Sequence, residues 1–135
     1  MSKIIKTYTD GGARGNPGPA AIGIVIKDED GKVLKKHAEY IGSTTNNQAE
    51  YKALIKALEI VKDFDPSEVH CFLDSELVVK QMRQEYRVKD AGLQPLFIKA
   101  WNLAISLGKV KFTHIPRTQN EEADEILNQE LDRHA

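Results

Sequence analysis

The chain has 135 residues, 41% of them hydrophobic and 29% charged, and its 19 basic and 20 acidic side chains leave a net charge of -1. That length suffices for one domain with its own core, without disulfides or a structural metal, so a single domain over 1–135 is expected. The composition is that of a globular chain, no stretch approaches the ~18 consecutive apolar residues of a membrane span, and the near-neutral charge gives no overall sign of a nucleic-acid partner. Met1-Ser2-Lys3-Ile4-Ile5-Lys6 contains no apolar segment of secretory length, which makes the cytoplasm the expected location.

Residues 3 to 9 mix Ile, Thr and Tyr and end in Asp10-Gly11-Gly12, which reads as a strand running into a glycine-rich turn. Residues 13 to 19, Ala-Arg-Gly-Asn-Pro-Gly-Pro, are loop, because prolines and glycines at that density fit neither a helix interior nor a central strand. A strand starts at Ala20, a turn follows at 28–31, and 32–41 forms a more polar strand, giving an antiparallel meander. Between Asn46 and Lys62 the apolar positions Ala49, Ala53, Leu54, Ala57, Leu58 and Val61 recur at helical spacing.

Pro66-Ser67 ends that helix, and 68–73 is a short apolar strand. Within it Cys71, the single cysteine, sits in the run Val69-His70-Cys71-Phe72-Leu73, where burial explains it better than ligation or redox chemistry. Helical spacing returns over 75–88 and again beyond Pro95 through Phe97, Trp101 and Ala104, closing at Gly108. Residues 109–115 alternate as a strand, and Asn120 opens a last helix through Ala123, Leu127 and Leu131. The order βββαβααβα implies an α/β domain built on a mixed five-stranded sheet flanked by helices.

Four acids stand where this layout would concentrate them. Glu50 lies on the stripe with Leu54, Ala57, Leu58 and Val61, so it points toward the sheet. Asp10 ends strand 1, Asp74 directly follows strand 4, and Asp124 lies in the first turn of the last helix. Each has a structural alternative: a favourable helix dipole for Glu50 and Asp124, an N-cap for Asp74, an Asx turn for Asp10. Strands 1 and 4 are expected to be neighbours, however, and their carboxyl ends then coincide in the crevice where open α/β sheets place their sites. Clustered carboxylates need cations, and oxygen-only ligands select hard ones, Mg²⁺ first and Mn²⁺ next. Two such ions can support phosphodiester hydrolysis. The chain has no phosphate loop, HExxH, CxxC or GxSxG to suggest another chemistry.

The sequence resembles type 1 ribonuclease H in four blocks. These are Tyr8-Thr9-Asp10-Gly11-Gly12 with Gly15-Asn16-Pro17-Gly18-Pro19, then Thr45-Asn46-Asn47-Gln48-Ala49-Glu50, Leu73-Asp74-Ser75, and Asn120-Glu121-Glu122-Ala123-Asp124. The resemblance implies the ribonuclease H-like fold with sheet order 3-2-1-4-5 and cleavage of the RNA strand of an RNA/DNA hybrid to 3′-hydroxyl and 5′-phosphate ends. It implies that Asp10 bridges two Mg²⁺ ions, that Asp124 completes the nucleophile-side ion, and that Glu50 with Asp74 holds the other. Gly11, Gly12, Asn16, Asn46, Asn47 and Asn120 then fall among substrate contacts, with Thr45 toward a DNA phosphate. Short amide side chains suit a minor groove lined with 2′-hydroxyls. For Asn16 a turn role, and for Thr45 a helix N-cap, are equal alternatives.

The chain also departs from the common bacterial pattern. Glu76 stands where many members carry Gln, and an acid there cannot donate a hydrogen bond. Residues 83 to 101 hold only Arg83, Arg87, Lys89 and Lys99, so the basic helical handle of many bacterial members is not expected, and affinity for hybrid should be modest and salt-sensitive. A gapless count from Asp124 puts His114 at the family's loop histidine. Ile115-Pro116-Arg117 fits the shorter archaeal-like branch better, in which that loop is deleted. His114 is then a partly buried strand residue, and Arg117 its nearest substitute near the scissile phosphate. RNA/RNA duplexes are a second candidate substrate, and the expected working unit is a monomer. The competing readings are a resolvase- or transposase-like nuclease of the same fold and a non-catalytic hybrid-binding module.

Overall fold

A computed structural model describes residues 3–135. The elements are β1 (Ile4–Ala13), β2 (Gly18–Asp28), β3 (Val33–Thr44), α1 (Asn46–Val61), β4 (Glu68–Leu73), α2 (Glu76–Met82), α3 (Gln94–Leu107), β5 (Val110–His114) and α4 (Glu121–Arg133). They form one five-stranded sheet of order β3-β2-β1-β4-β5. β1, β2 and β3 make the antiparallel meander, and β4 joins β1, and β5 joins β4, in parallel.

The sheet is covered unequally. Ile22, Ile24 and Ile26 of β2 join Val69, Cys71 and Leu73 of β4 in the core that α1, α2 and α3 complete, while Ala21 packs with Leu127 and Leu131 of α4 on the opposite face. β2 is thus buried on both sides, which explains why Ala20 to Ile26 reads as an unbroken run of apolar residues and glycine instead of an alternating one. Cys71 is fully buried, and burial pushes its thiol up to about 12, as its sequence context suggests. Among the described residues no helix is long and apolar enough to cross a membrane.

Two elements differ from the sequence reading. β1 does not turn at Gly11-Gly12; it continues to Ala13, pairing Gly11 with Ile22 and Gly12 with Ala21. Gly11 is needed for close approach instead: a Cβ there would lie 2.2 Å from the Ala49 carbonyl oxygen of α1. Gly23, the register partner of Asp10, makes the matching contact on the other face, its Cβ position falling 2.2 Å from the carbonyl oxygen of Ala123 in α4.

The second difference is α2, which stops at Met82 although apolar spacing runs on to Tyr86. Gln84 adopts a left-handed φ of 63°, its N–H donates to Gln81 O (3.0 Å), and the Glu85 N–H donates to Lys80 O (2.8 Å). This is a Schellman ending with glutamine in the place glycine usually takes. Residues 83–93 then run without a helix to α3, so no handle helix stands between α2 and α3.

Candidate metal centre

The register of the sheet assembles the acids. Thr9 pairs with Leu73, so Asp10 and Asp74 each stand one residue beyond the last β1–β4 pair, side by side at the strand ends. Glu50, one turn into α1, and Asp124, in the first turn of α4, come in from the two faces of the sheet. The two glycines are what let them: Gly11 admits the backbone of Ala49 and Gly23 that of Ala123, the residues directly preceding the two acids. Ligand oxygens of Asp10, Glu50 and Asp74 all lie within 4.8 Å of one another. Asp124 stands close enough to Asp10 for its charge to help hold the Asp10 carboxyl above its ordinary range. All four acids line a cleft of about 360 Å³.

The structural alternatives for three of these acids are not realised. The α2 cap is the Ser75 hydroxyl, which accepts the Val78 N–H (3.3 Å), leaving Asp74 free. Asp10 is in a paired strand, and Glu50 is past the first turn of its helix. Asp124 does lie in a first turn, but Glu121 and Glu122 already supply negative charge there.

Electrostatically the cluster is unfinished. Glu50, 7% exposed, accepts a hydrogen bond from the Gly11 N–H. Burial, then the charge of Asp10, hold its carboxyl well above the usual range, against the opposing pull of that amide. Asp10 is pushed up to about 7, first by burial and then by the charge of Asp74. Oδ2 of Asp74 is buried without any hydrogen-bond partner. Among the described residues no lysine or arginine forms an ion pair with any of the four acids. Crowded carboxylates without a counter-cation are costly, and an orphaned carboxylate oxygen within a cluster of acids is what a hard, oxygen-seeking cation requires. The residues present therefore fit a divalent metal.

Around the cluster the other sequence-marked residues divide. Gly11, Gly12, Asn46 and Arg117 line the cleft, and Arg117 is carried there because the Ile115 N–H donates to Leu73 O (2.9 Å), holding the chain beside β4 beyond the end of β5. Asn16 Oδ1 accepts the Asn46 N–H (3.0 Å), and Asn46 Oδ1 accepts the Ala13 N–H (2.8 Å), so the two side chains tie the β1–β2 hairpin to the start of α1. The Thr45 hydroxyl caps α1, accepting the Gln48 N–H (3.2 Å) in a capping box, and Asn47 is exposed on the first turn. Gly11 spends its N–H on Glu50 and is buried.

Two expectations are corrected. Asn120 is 2% exposed and its side-chain amide donates to the Thr9 carbonyl (2.8 Å), so it fastens the start of α4 to β1 and is not open to a substrate. His114 does end β5, but it is exposed, and it is not among the residues lining the cleft. Glu76 turns outward into an ion pair with Lys80 (3.0 Å). The sequence reading passed over Arg14 and Asn128 among the polar residues of the cleft. Asn128 could have been flagged, because it lies four residues beyond Asp124 on one helix face. Arg14 carried no signal, being a lone basic residue in a Gly- and Pro-rich loop.

Residues 8–129 match the family model described as "Reverse transcriptase-like". The chain is 41% identical over 128 residues to ribonuclease HI of Halobacterium salinarum, covering 95% of this chain and 64% of that protein. It is 30% identical to a ribonuclease H of Sulfurovum sp., covering 97% and 92% of the two. LC11-RNase H1, from compost and solved in complex with an RNA/DNA hybrid, superposes with a TM-score of 0.93 at 48% identity, covering 96% of this chain and 98% of that one. The chain thus spans about two thirds of the haloarchaeal relative, and about a third (34%) of the mycobacterial proteins it matches. With family match, sheet order and handle-less α2–α3 connection in agreement, the chain belongs to the type 1 ribonuclease H family, in its compact archaeal-like form.

Proposed function

We propose that this chain is a metal-dependent endoribonuclease that hydrolyses the RNA strand of RNA/DNA hybrids, leaving 3′-hydroxyl and 5′-phosphate ends. The observation that carries this reading is the convergence of four carboxylates without a cationic partner, one of them with an orphaned buried oxygen. Support for the substrate comes from LC11-RNase H1, known in complex with such a hybrid. Mg²⁺ is the ion that an all-carboxylate donor set favours, with Mn²⁺ as substitute, and Asp10, Glu50, Asp74 and Asp124 are the residues that would hold it. One copy supplies all four acids, so we take the monomer as the working unit, acting in the cytoplasm.

When bound, divalent ions at such a cluster supply an activated water on one side of phosphorus and charge neutralisation for the leaving oxygen on the other. The protein's own contribution is placement. Glu50 is fixed by the Gly11 amide and buried, so its carboxylate cannot swing into solvent. Asp10 and Asp74 are held by strand register, which leaves little freedom to relax apart. Arg117 lines the same cleft and brings positive charge to where a phosphodiester would lie, while the guanidinium of Arg14, also in the cleft, is paired with Asp132. Asn46 and Asn16, linked to each other, set the hairpin against the start of α1, and the exposed Asn47 offers amide groups suited to a minor groove.

The test is hydrolysis of a labelled RNA/DNA hybrid in Mg²⁺ or Mn²⁺, wild type against Asp10→Asn. A loss of about a hundred- to a thousandfold in the variant is expected, the scale of removing an essential electrostatic group. Equal rates for the two proteins, or no cleavage by either, would sink the reading. Matched assays on an RNA/RNA duplex decide whether specificity extends to it.

A further inference from the structure

Three of the four acids are immobilised by the sheet or by burial, and Asp124 is the exception. It stands in the first turn of α4, a helix whose cap residue Asn120 makes no side-chain capping bond, and it is only half-buried. One side-chain donor reaches its carboxylate among the described residues: Asn128 Nδ2, which donates to the Asp124 backbone carbonyl (2.9 Å) and to Asp124 Oδ1 (3.2 Å). Asn128 is itself a wall of the cleft, and its backbone carbonyl accepts from the Arg14 guanidinium (3.4 Å), another cleft residue.

We propose that Asn128 is a positioning residue that presents the Asp124 carboxylate to the metal centre. Asparagine is a mediocre helix former, and at this mid-helix position its side chain adds nothing to the hydrophobic contact made by Leu127 and Leu131. Its amide does what those neighbours cannot. A neutral donor on Oδ1 restricts the rotation of the Asp124 carboxylate and lowers the entropy lost when that group takes a ligand position, without placing a competing positive charge in the site. Outer partners of this kind typically change metal affinity or activity by about 10–100-fold when removed.

The inference rests on the metal-nuclease reading above, and the experiment separates the two. Mn²⁺ alone is titrated calorimetrically into wild type, N128L and N128Q, and hybrid cleavage and thermal unfolding in EDTA are measured on the same proteins. N128L removes the donor at nearly constant volume. It is expected to bind Mn²⁺ about tenfold more weakly and to lose at least about tenfold in kcat with KM for hybrid within about twofold. Its unfolding midpoint in EDTA should stay close to that of wild type, and N128Q, which keeps an amide, should recover part of the affinity. If N128L does not fold, N128A carries the same comparison. Wild-type Mn²⁺ affinity and kcat in the donor-less variant, or a loss confined to thermal stability, overturn the role of Asn128 alone. A wild-type protein that neither binds Mn²⁺ nor cuts hybrid overturns this role and the metal-nuclease reading together.

Discussion

Glu50 and Asp10 illustrate how a cluster of acids is held together at the expense of stability. Both carboxyls titrate well above their ordinary range because the fold removes them from water and sets them beside other acids. An acid whose folded pKa is raised binds its proton more tightly in the native state, so stability from this source is complete below the unfolded pKa and is lost as pH rises toward the folded one. For Asp10 that window runs from the ordinary 3.8 to about 7. The metal-free protein should therefore be progressively penalised across it, and added Mg²⁺ should remove the penalty. Glu50→Gln tests this directly, since glutamine keeps an acceptor for the Gly11 amide but carries no charge. In EDTA the variant should unfold at about the wild-type temperature at pH 4, and several degrees higher at pH 7.5. Cleavage should be lost, and Mg²⁺ should raise the variant's midpoint less than that of wild type. A midpoint difference that does not change with pH would show that repulsion and burial at Glu50 are not what limits stability.

At the scale of elements, the site depends on two helices approaching a sheet more closely than a Cβ would permit. The sequence shows Ala49-Glu50 and Ala123-Asp124, each acid preceded by alanine, but the glycines that receive them lie 38 and 100 positions away in the chain. Periodicity is a local signal, and it located the helices, the strands and the inward face of Glu50. It could not show that Gly11 and Gly23 serve packing, because that need arises only when the sheet is assembled, and so Gly11-Gly12 read as a turn. The end of α2 was hidden for a related reason: Gln84 takes a backbone conformation that its residue type does not advertise. Asn120, read from its motif as a contact, belongs to the interior because its amide satisfies the Thr9 carbonyl. Gly23→Ala is the corresponding prediction. The added methyl meets the Ala123 carbonyl, so α4 must shift, at a cost of about 1–3 kcal/mol. Activity should fall well beyond what unfolding explains, because the shift carries Asp124 away from Asp10. The comparison is Leu131→Ala, which loosens the same helix at its far end: if the two variants have equal kcat at equal fractional folding, the close approach at Gly23 does not position the acid.

The near-neutral charge of the whole molecule conceals a segregation that bears on how it would grip a hybrid. Many lysines are already engaged in ion pairs away from the cleft, Lys27 and Lys36 with Glu122, Lys109 and Lys111 with Glu68. Among the described residues Arg117, in the cleft, has no acidic partner, and neither do Arg87 and Lys89 in the segment that replaces the handle or Lys99 of α3. Arg14, also in the cleft, is bound to Asp132 at 2.6 Å. Few phosphates can therefore be neutralised at once, and the salt dependence of binding should count them. With roughly three contacts, and about 0.9 of a power of salt for each, hybrid affinity should fall by about 40-fold between 50 and 200 mM salt, against a thousandfold or more for a protein making six to ten. Anisotropy titrations of the inert Asp10→Asn protein against labelled hybrid measure this slope. Arg117→Gln in that background should weaken binding at all salt concentrations and reduce the slope by about one. An unchanged slope would place Arg117 off the phosphate backbone and leave the unpaired cations of 83–99 to carry the contact.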